Sequence, residues 1–186
     1  REFNKVKKIL KNFNKEDDAF YWFRIKKEAQ ILVEEKNYES GLKYINSKFS
    51  KIENPNSKII FDLANFYKNS KNFETAIKYY TQIISKLDDD SLIKSDLLFR
   101  RGGSYERMGK FEESDKDFFH SLDINPNNAH VLNYLAYSWL EREYKIDEAM
   151  KLLQTAYELR SDDPYIIDSI GWAYYLIDNY SEAEKY

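Results

Sequence analysis

A small residue returns every 34 to 38 positions along this chain: Ala29, Ala64, Gly102, Ala136 and Gly171. Three residues after each stands a larger one, Leu32, Tyr67, Tyr105, Trp139 and Tyr174. Further on come Tyr38, Phe73, Phe111, Ile146 and Tyr180, then a second small column of Gly41, Ala76, Ser114, Ala149 and Ala183. A fixed period of this length is the mark of a repeat architecture, in which each unit buries its apolar face only against its neighbours. The spacing inside each period is helical. Leu98, Gly102 and Tyr105 stand at i, i+4 and i+7, while Phe111, Ser114, Phe118 and Ser121 stand at i, i+3, i+7 and i+10.

Each period therefore reads as a helix–turn–helix hairpin. Glycine in a helix interior costs roughly 0.5–1 kcal/mol relative to alanine. Gly102 and Gly171 share a column with three alanines, so the cost is explained if two helices pack too closely there for a larger side chain. Gly109 falls between the paired helices, where a left-handed cap is expected. Around Pro126 and Pro164, "NPNN" and "SDDP" stop one helix and cap the next. The period that begins at Ala136 carries one extra residue in the turn between Trp139 and Ile146.

The pattern resembles the tetratricopeptide repeat (TPR) family, most clearly in "RGGSYERMGKFEESDKDFF", "LNYLAYSWLEREYKIDEAMKLLQTAYEL" and "IGWAYYLIDNYSEAEKY". The resemblance weakens over Trp22–Asn56, where Glu28 and Lys48 replace expected apolar residues. It implies an all-α fold, an α-solenoid of tandem TPR hairpins forming a right-handed superhelix. A single array is expected over 1–186: a partial repeat at 1–21, repeats at 22–56, 57–94, 95–128 and 129–163, and a truncated repeat at 164–186. Phe3, Val6, Leu10 and Phe13 match a second helix without its first, and "YSEAEKY" begins another. The opening "REFNKVKK" lacks an initiator Met, so the chain reads as a piece of a longer bacterial multi-TPR protein with uncapped ends prone to self-association. An excess of Lys over Arg and abundant Asn favour a bacterial source.

Several chemistries are excluded. With no Cys, the chain has no disulfide, thiolate metal site or cysteine nucleophile. His120 and His130 lack metal-ligand spacing, and no phosphate-binding glycine loop or nucleophile elbow is present. The carboxylates of "EDDAF" and "LDDDS" lack the ligand alternation of a calcium loop and read as helix-capping turns. No enzyme activity and no cofactor are expected. A net charge of −3 argues against nucleic acid, and no apolar run approaches the roughly 18 residues of a membrane helix. Charge is nonetheless uneven: residues 1–56 carry 13 Lys+Arg against 9 Asp+Glu, a balance of +4, while residues 129–186 carry 5 against 11, a balance of −6.

In the TPR family first helices line a concave groove, and their positions not used in packing contact ligand. Carried onto this sequence, that set is Phe23, Lys26, Gln30 and Val33; Lys58, Phe61, Asn65 and Lys68; Asp96, Phe99, Gly103 and Glu106; His130, Asn133, Tyr137 and Leu140; and Tyr165, Asp168, Trp172 and Tyr175. The partner-binding residues selected from it are Lys26, Asn65, Phe99, Gly103, Asn133, Tyr137, Tyr165, Asp168, Trp172 and Tyr175. Gly103, outside every small column, either opens room in the groove or is a neutral change. Tyr137, Tyr165, Trp172 and Tyr175 are aromatics with a polar edge, favoured at interfaces. Asp62 and Asp96 stand where a grip on a C-terminal carboxylate needs an amide and a lysine, which disfavours that mode. The expected function is a protein-interaction scaffold or adaptor binding a partner protein or peptide segment. The alternatives are a regulatory or substrate-recruiting arm of a larger enzyme, and a structural or oligomerisation array. The compartment stays open between cytoplasm and bacterial periplasm, with the parent protein a lipid-anchored one in the latter case.

Overall fold

The computed structural model describes Lys5, Leu10 and residues 18–186. Phe3, Val6 and Phe13, and Glu16 and Asp17 of "EDDAF", lie outside the described residues. Leu10 is helical and buried. All regular structure among the described residues is helical, as an α-solenoid requires. The chain divides into two compact units, residues 1–83 and 84–186.

The first unit holds α1 (Asp18–Glu35), α2 (Tyr38–Phe49), α3 (Ser57–Asn69) and nearly all of α4 (Phe73–Ile84). Trp22, Ile25, Ala29, Ile45, Ile59, Leu63 and Phe66 form its core. Gly41 is held to hydrogen by its surroundings: a Cβ there would lie 2.6 Å from Val33 Cγ2 and 2.9 Å from the Ala29 carbonyl oxygen. Glu28 and Lys48, the departures from the apolar pattern, meet at Tyr44. The Tyr44 hydroxyl donates to the Glu28 carboxylate, and the Lys48 ammonium lies 5.4 Å from the Tyr44 ring centre. Burial, and then Glu28, raise the Tyr44 pKa well above its ordinary value.

The second unit holds α5 (Leu92–Glu106), α6 (Phe111–Ile124), α7 (Ala129–Leu140), α8 (Ile146–Leu159), α9 (Pro164–Leu176) and a single turn, α10 (Tyr180–Ala183). Here α5 pairs with α6 and α7 with α8, while α7 also packs on α6 and α9 on both α7 and α8. Phe118, Leu135, Ala136, Trp139, Leu153 and Ile166 belong to one core. Polar side chains tie helices together as well. Ser95 and Ser121 exchange buried hydrogen bonds between α5 and α6. Arg101 donates twice to Asp117 at 2.7 Å. Burial alone would lower the Arg101 pKa, but the Asp117 bonds outweigh it and raise it.

One turn geometry recurs. After α3, α5, α7 and α9 the amides of Asn72, Lys110, Tyr144 and Asn179 bond the carbonyls of Tyr67, Tyr105, Trp139 and Tyr174. One residue earlier, Lys71, Gly109, Glu143 and Asp178 are left-handed, with φ between 48° and 70°. This is the Schellman closure, which satisfies orphan carbonyls at a helix end. The extra turn residue before α8 is accommodated by a second left-handed residue, Lys145 at φ 48°. Asn37, Asn56, Asn128 and Asp163 each accept a backbone N–H at the start of the following helix, and Pro164 opens α9. The "LDDDS" stretch is not a side-chain cap: Ser91 makes no capping bond, and Asp89 instead takes the ammonium of Lys94.

The two adjacent glycines of α5 prove different. A Cβ on Gly102 would stand 2.8 Å from the fully buried Phe118 ring, whereas one on Gly103 would meet only Tyr134, at 3.7 Å. Gly171 is not tightly confined: a Cβ there would be 3.4 Å from Tyr186 Cβ and 3.5 Å from the Ala183 oxygen. Urea unfolding followed by circular dichroism should separate the neighbours. Gly102→Ala should destabilise by about 1–3 kcal/mol through overpacking, and Gly103→Ala should stabilise by roughly 0.5–1 kcal/mol through helix propensity. Equal responses would contradict this account of α5.

Candidate functional site

The second unit carries a concave groove along α5, α7 and α9. One chamber, of about 600 Å³, is lined among others by Phe99, Glu106, Asn133, Tyr134, Tyr137 and Tyr165. A second, of about 500 Å³, is lined by Tyr137, Glu141, Asp168, Gly171, Trp172, Tyr175, Ala183 and Tyr186. Tyr137, Glu141 and Asp168 border both chambers, so they are parts of one groove. Helical spacing explains the alignment. Asn133, Tyr137 and Glu141 step by four along α7 and its C-cap, and Tyr165, Asp168, Trp172 and Tyr175 stand at i, i+3, i+7 and i+10 on α9.

Eight of the ten residues expected to bind a partner lie on helices of this unit, and seven of them line the groove. Gly103 is the eighth; it lies in α5 beneath the Tyr134 hydroxyl and lines neither chamber. Phe99 has a packing role too, its ring centre lying 5.6 Å from Tyr134 and 6.0 Å from Phe118. The remaining two belong to the first unit and are engaged internally. The Lys26 ammonium bonds Asp62 at 2.8 Å, where Asp62 also accepts from the Trp22 indole, and Asn65 accepts from the Tyr80 hydroxyl at 2.7 Å. The first unit has its own recess of about 280 Å³, lined by Gln30, Val33, Glu34, Tyr38, Phe66 and Asn69. Leu140, placed among the lining positions by the repeat register, is instead core, because α7 is packed on both α6 and α8 and on α9 as well.

Tyr134, Glu141, Arg107 and Tyr186 line the groove without having been expected there. Tyr134 sits one residue beyond the lining position Asn133, and its long side chain reaches across to Phe99 and Phe118. Burial first, then the charge of Glu106, raise the Tyr134 pKa; burial, then Glu141 and Asp168, raise that of Tyr137. Tyr134 and Glu106 together raise the pKa of Arg107. Two polar atoms in the lining are buried without a hydrogen-bond partner, Asn133 Oδ1 and Ser138 Oγ. Buried polar atoms left unsatisfied cost about 1–3 kcal/mol each, so they favour an incoming partner group. The groove aromatics remain open: Tyr137 is 39% exposed, Tyr165 77%, Trp172 36% and Tyr175 52%. Trp172 and Tyr175 stack on each other at 5.4 Å between centres and 12° between planes. Among the described residues no group of His, Asp and Glu is placed to hold a metal ion, and no helix is long and apolar enough to cross a membrane.

A family profile described as the tetratricopeptide repeat matches residues 57–85 and 95–128. The chain carries tetratricopeptide repeats. The TPR assignment extends to two curated relatives. A TPR repeat-containing protein of Pseudomonas aeruginosa, PA4667, is 34% identical over 90 residues, and a lipoprotein NlpI homolog of Haemophilus influenzae is 29% identical over 104. Those matches cover 48% and 55% of this chain but only 15% and 32% of the relatives. Among solved structures, residues 41 to the end of MamA from Desulfovibrio magneticus RS-1 align with a TM-score of 0.66 at 13% identity, covering 88% of this chain and 89% of that one. A tetratricopeptide repeat protein from Parabacteroides merdae aligns with a TM-score of 0.67 at 16% identity, covering 88% and 63%. These neighbours share the fold. TPR arrays are in general scaffolds for protein–protein interaction, and this chain belongs to that class.

Trp139 and Trp172 separate the packing and groove faces. Trp139 is 3% exposed, and its indole donates to Asp115 at 3.0 Å. Trp139→Ala should cost about 3–5 kcal/mol, and Trp172→Ala about 1–2 kcal/mol, in urea unfolding followed by circular dichroism. A comparable loss at Trp172 would mean that the α9 aromatics serve the fold rather than an open surface.

Proposed function

We propose that this TPR chain is an adaptor that binds a segment of a partner protein along the groove of its second unit. The observation that carries the reading is the division of labour on α7 and α9. Leu135, Ala136, Trp139, Ile166, Ile170 and Ala173 are buried in the core, while Tyr137, Tyr165, Trp172 and Tyr175 stay exposed on the groove. Exposed aromatics flanked by polar groups are the usual anchors of an interface, and the unpartnered Asn133 carbonyl and Ser138 hydroxyl suit an incoming peptide backbone. The first unit's Lys26 and Asn65 play a lesser part in this reading, since each already holds a neighbour.

The test is affinity capture from native lysate with the chain and with a variant carrying Tyr137→Ala, Tyr165→Ala and Trp172→Ala, its helicity verified by circular dichroism. A protein held by the chain and lost by the folded variant is the expected result. Equal capture by both would move the binding surface away from this groove, and no capture by either would favour the array as a structural spacer.

A further inference from the structure

We propose that the segment bound in the second unit's groove is basic, and that a lysine or arginine side chain of it lodges in the chamber walled by Tyr137, Trp172 and Tyr175 and floored by the carboxylates of Glu141 and Asp168. This rests on the groove reading above and adds the partner's chemistry. Tyr137, Trp172 and Tyr175 line the chamber and stay partly exposed; Trp172 and Tyr175 spend one face each on their mutual stack at 5.4 Å, and a cation meets the remaining open aromatic surface. The two carboxylates border both chambers, and among the described residues no Lys or Arg closes an ion pair with either. Anions beside aromatic faces, with no cation of their own, are complementary to an ammonium or guanidinium group.

A second and independent feature points to a ligand in the same groove. Ser138 is 3% exposed and lines the first chamber, yet its hydroxyl has no hydrogen-bond partner. Asn133, one turn before Tyr137 on α7, likewise has a buried carbonyl oxygen without a donor. An extended peptide entering the groove offers a backbone N–H to the Asn133 carbonyl oxygen and a C=O or N–H to the Ser138 hydroxyl, while its basic side chain reaches the chamber beyond. The cations near the groove already have partners of their own, although Arg107 lines the first chamber and acts on Tyr137 from there. Arg107 is 3.4 Å from Glu106, and the Arg160 guanidinium and Asp163 carboxylate flank His130 at the rim. The balance of −6 over residues 129–186 adds long-range attraction for a basic segment.

The experiment pans the 186-residue chain against a phage-displayed library of random nonapeptides, then measures synthetic copies of the enriched sequences by fluorescence anisotropy. Enriched peptides should share a Lys or Arg. Replacing it with norleucine should weaken binding at least about tenfold, and so should Glu141→Gln with Asp168→Asn, or Trp172→Ala, in variants of unchanged helicity. Added salt should weaken the peptide further. Enriched peptides that bind equally well without their basic residue, or equally well to the charge-neutral variant, would overturn the cation chamber while leaving the groove as a peptide site. If no peptide is enriched, the groove reading itself fails. A sedimentation mass that rises with concentration in the chain but not in Trp172→Ala would assign the chamber to a second copy, and would overturn the proposal as well.

Discussion

Among the described residues, the closest helix contacts leave room for nothing larger than a hydrogen, a methyl or a hydroxymethyl group. Gly102 lies against the Phe118 ring, and Gly41 against Val33 and the Ala29 carbonyl. Ala29, Ala64, Ala76, Ala136 and Ala149 are fully buried at other places in the same two columns, and so is Ser114, while Gly171 and Ala183 are half-buried. Backbones that approach this closely bring the larger residue of each turn, such as Tyr80, Phe118 or Leu153, into full burial behind the contact. The rest of the stacking follows from this spacing. A larger residue at Gly41 or Gly102 would push a pair of helices apart and open the core behind it.

The close pairing is held at one end by the turn. Four helix ends close in the same way, with a left-handed residue followed by an amide that reaches back to Tyr67, Tyr105, Trp139 or Tyr174. Carboxylates then tie helices laterally: Asp62 holds the Trp22 indole and the Lys26 ammonium, and Asp115 holds the Trp139 indole and the Arg142 guanidinium. With packing assigned to the columns and ties assigned to these acids, one line of residues on α7 and another on α9 is left without a structural task. Those lines form the groove of the second unit. Rigid elements hold it, which lowers the ordering cost of binding a segment there.

Much of this was legible in the sequence because the small columns recur at helical spacing, and size restriction is a property a single chain can display through repetition. Gly109 announced its left-handed turn, but Lys71, Glu143 and Asp178 adopt the same conformation without glycine, so nothing local marked them. Leu140 was misread as a lining residue because register alone does not say how many neighbours a helix has; α7 is covered on several sides. Tyr134 and Glu141 escaped for the opposite reason, since a long side chain one position off the lining register, or a C-cap residue, still reaches the groove. Lys26 was read as a groove residue from the register alone; its bond to Asp62, between residues 36 apart in the chain, has no local mark in the sequence. Gly171 shares its column with Gly102, yet its neighbours leave it ordinary room, because what faces it is one turn of helix and Tyr186.

The three tryptophans report on packing and groove in one spectrum. Trp22 and Trp139 are each 3% exposed with indoles bonded to Asp62 and Asp115, whereas Trp172 is 36% exposed on the groove. Hydrogen exchange of the three indole N–H groups, followed by NMR and assigned by single Trp→Phe variants, tests the central claim that the tryptophans of the packing face and of the groove face are in separate environments. Strong protection is expected at Trp22 and Trp139, and exchange near the free-indole rate at Trp172. Protection of Trp172 equal to that of Trp139, or rapid exchange at Trp139, would contradict that claim.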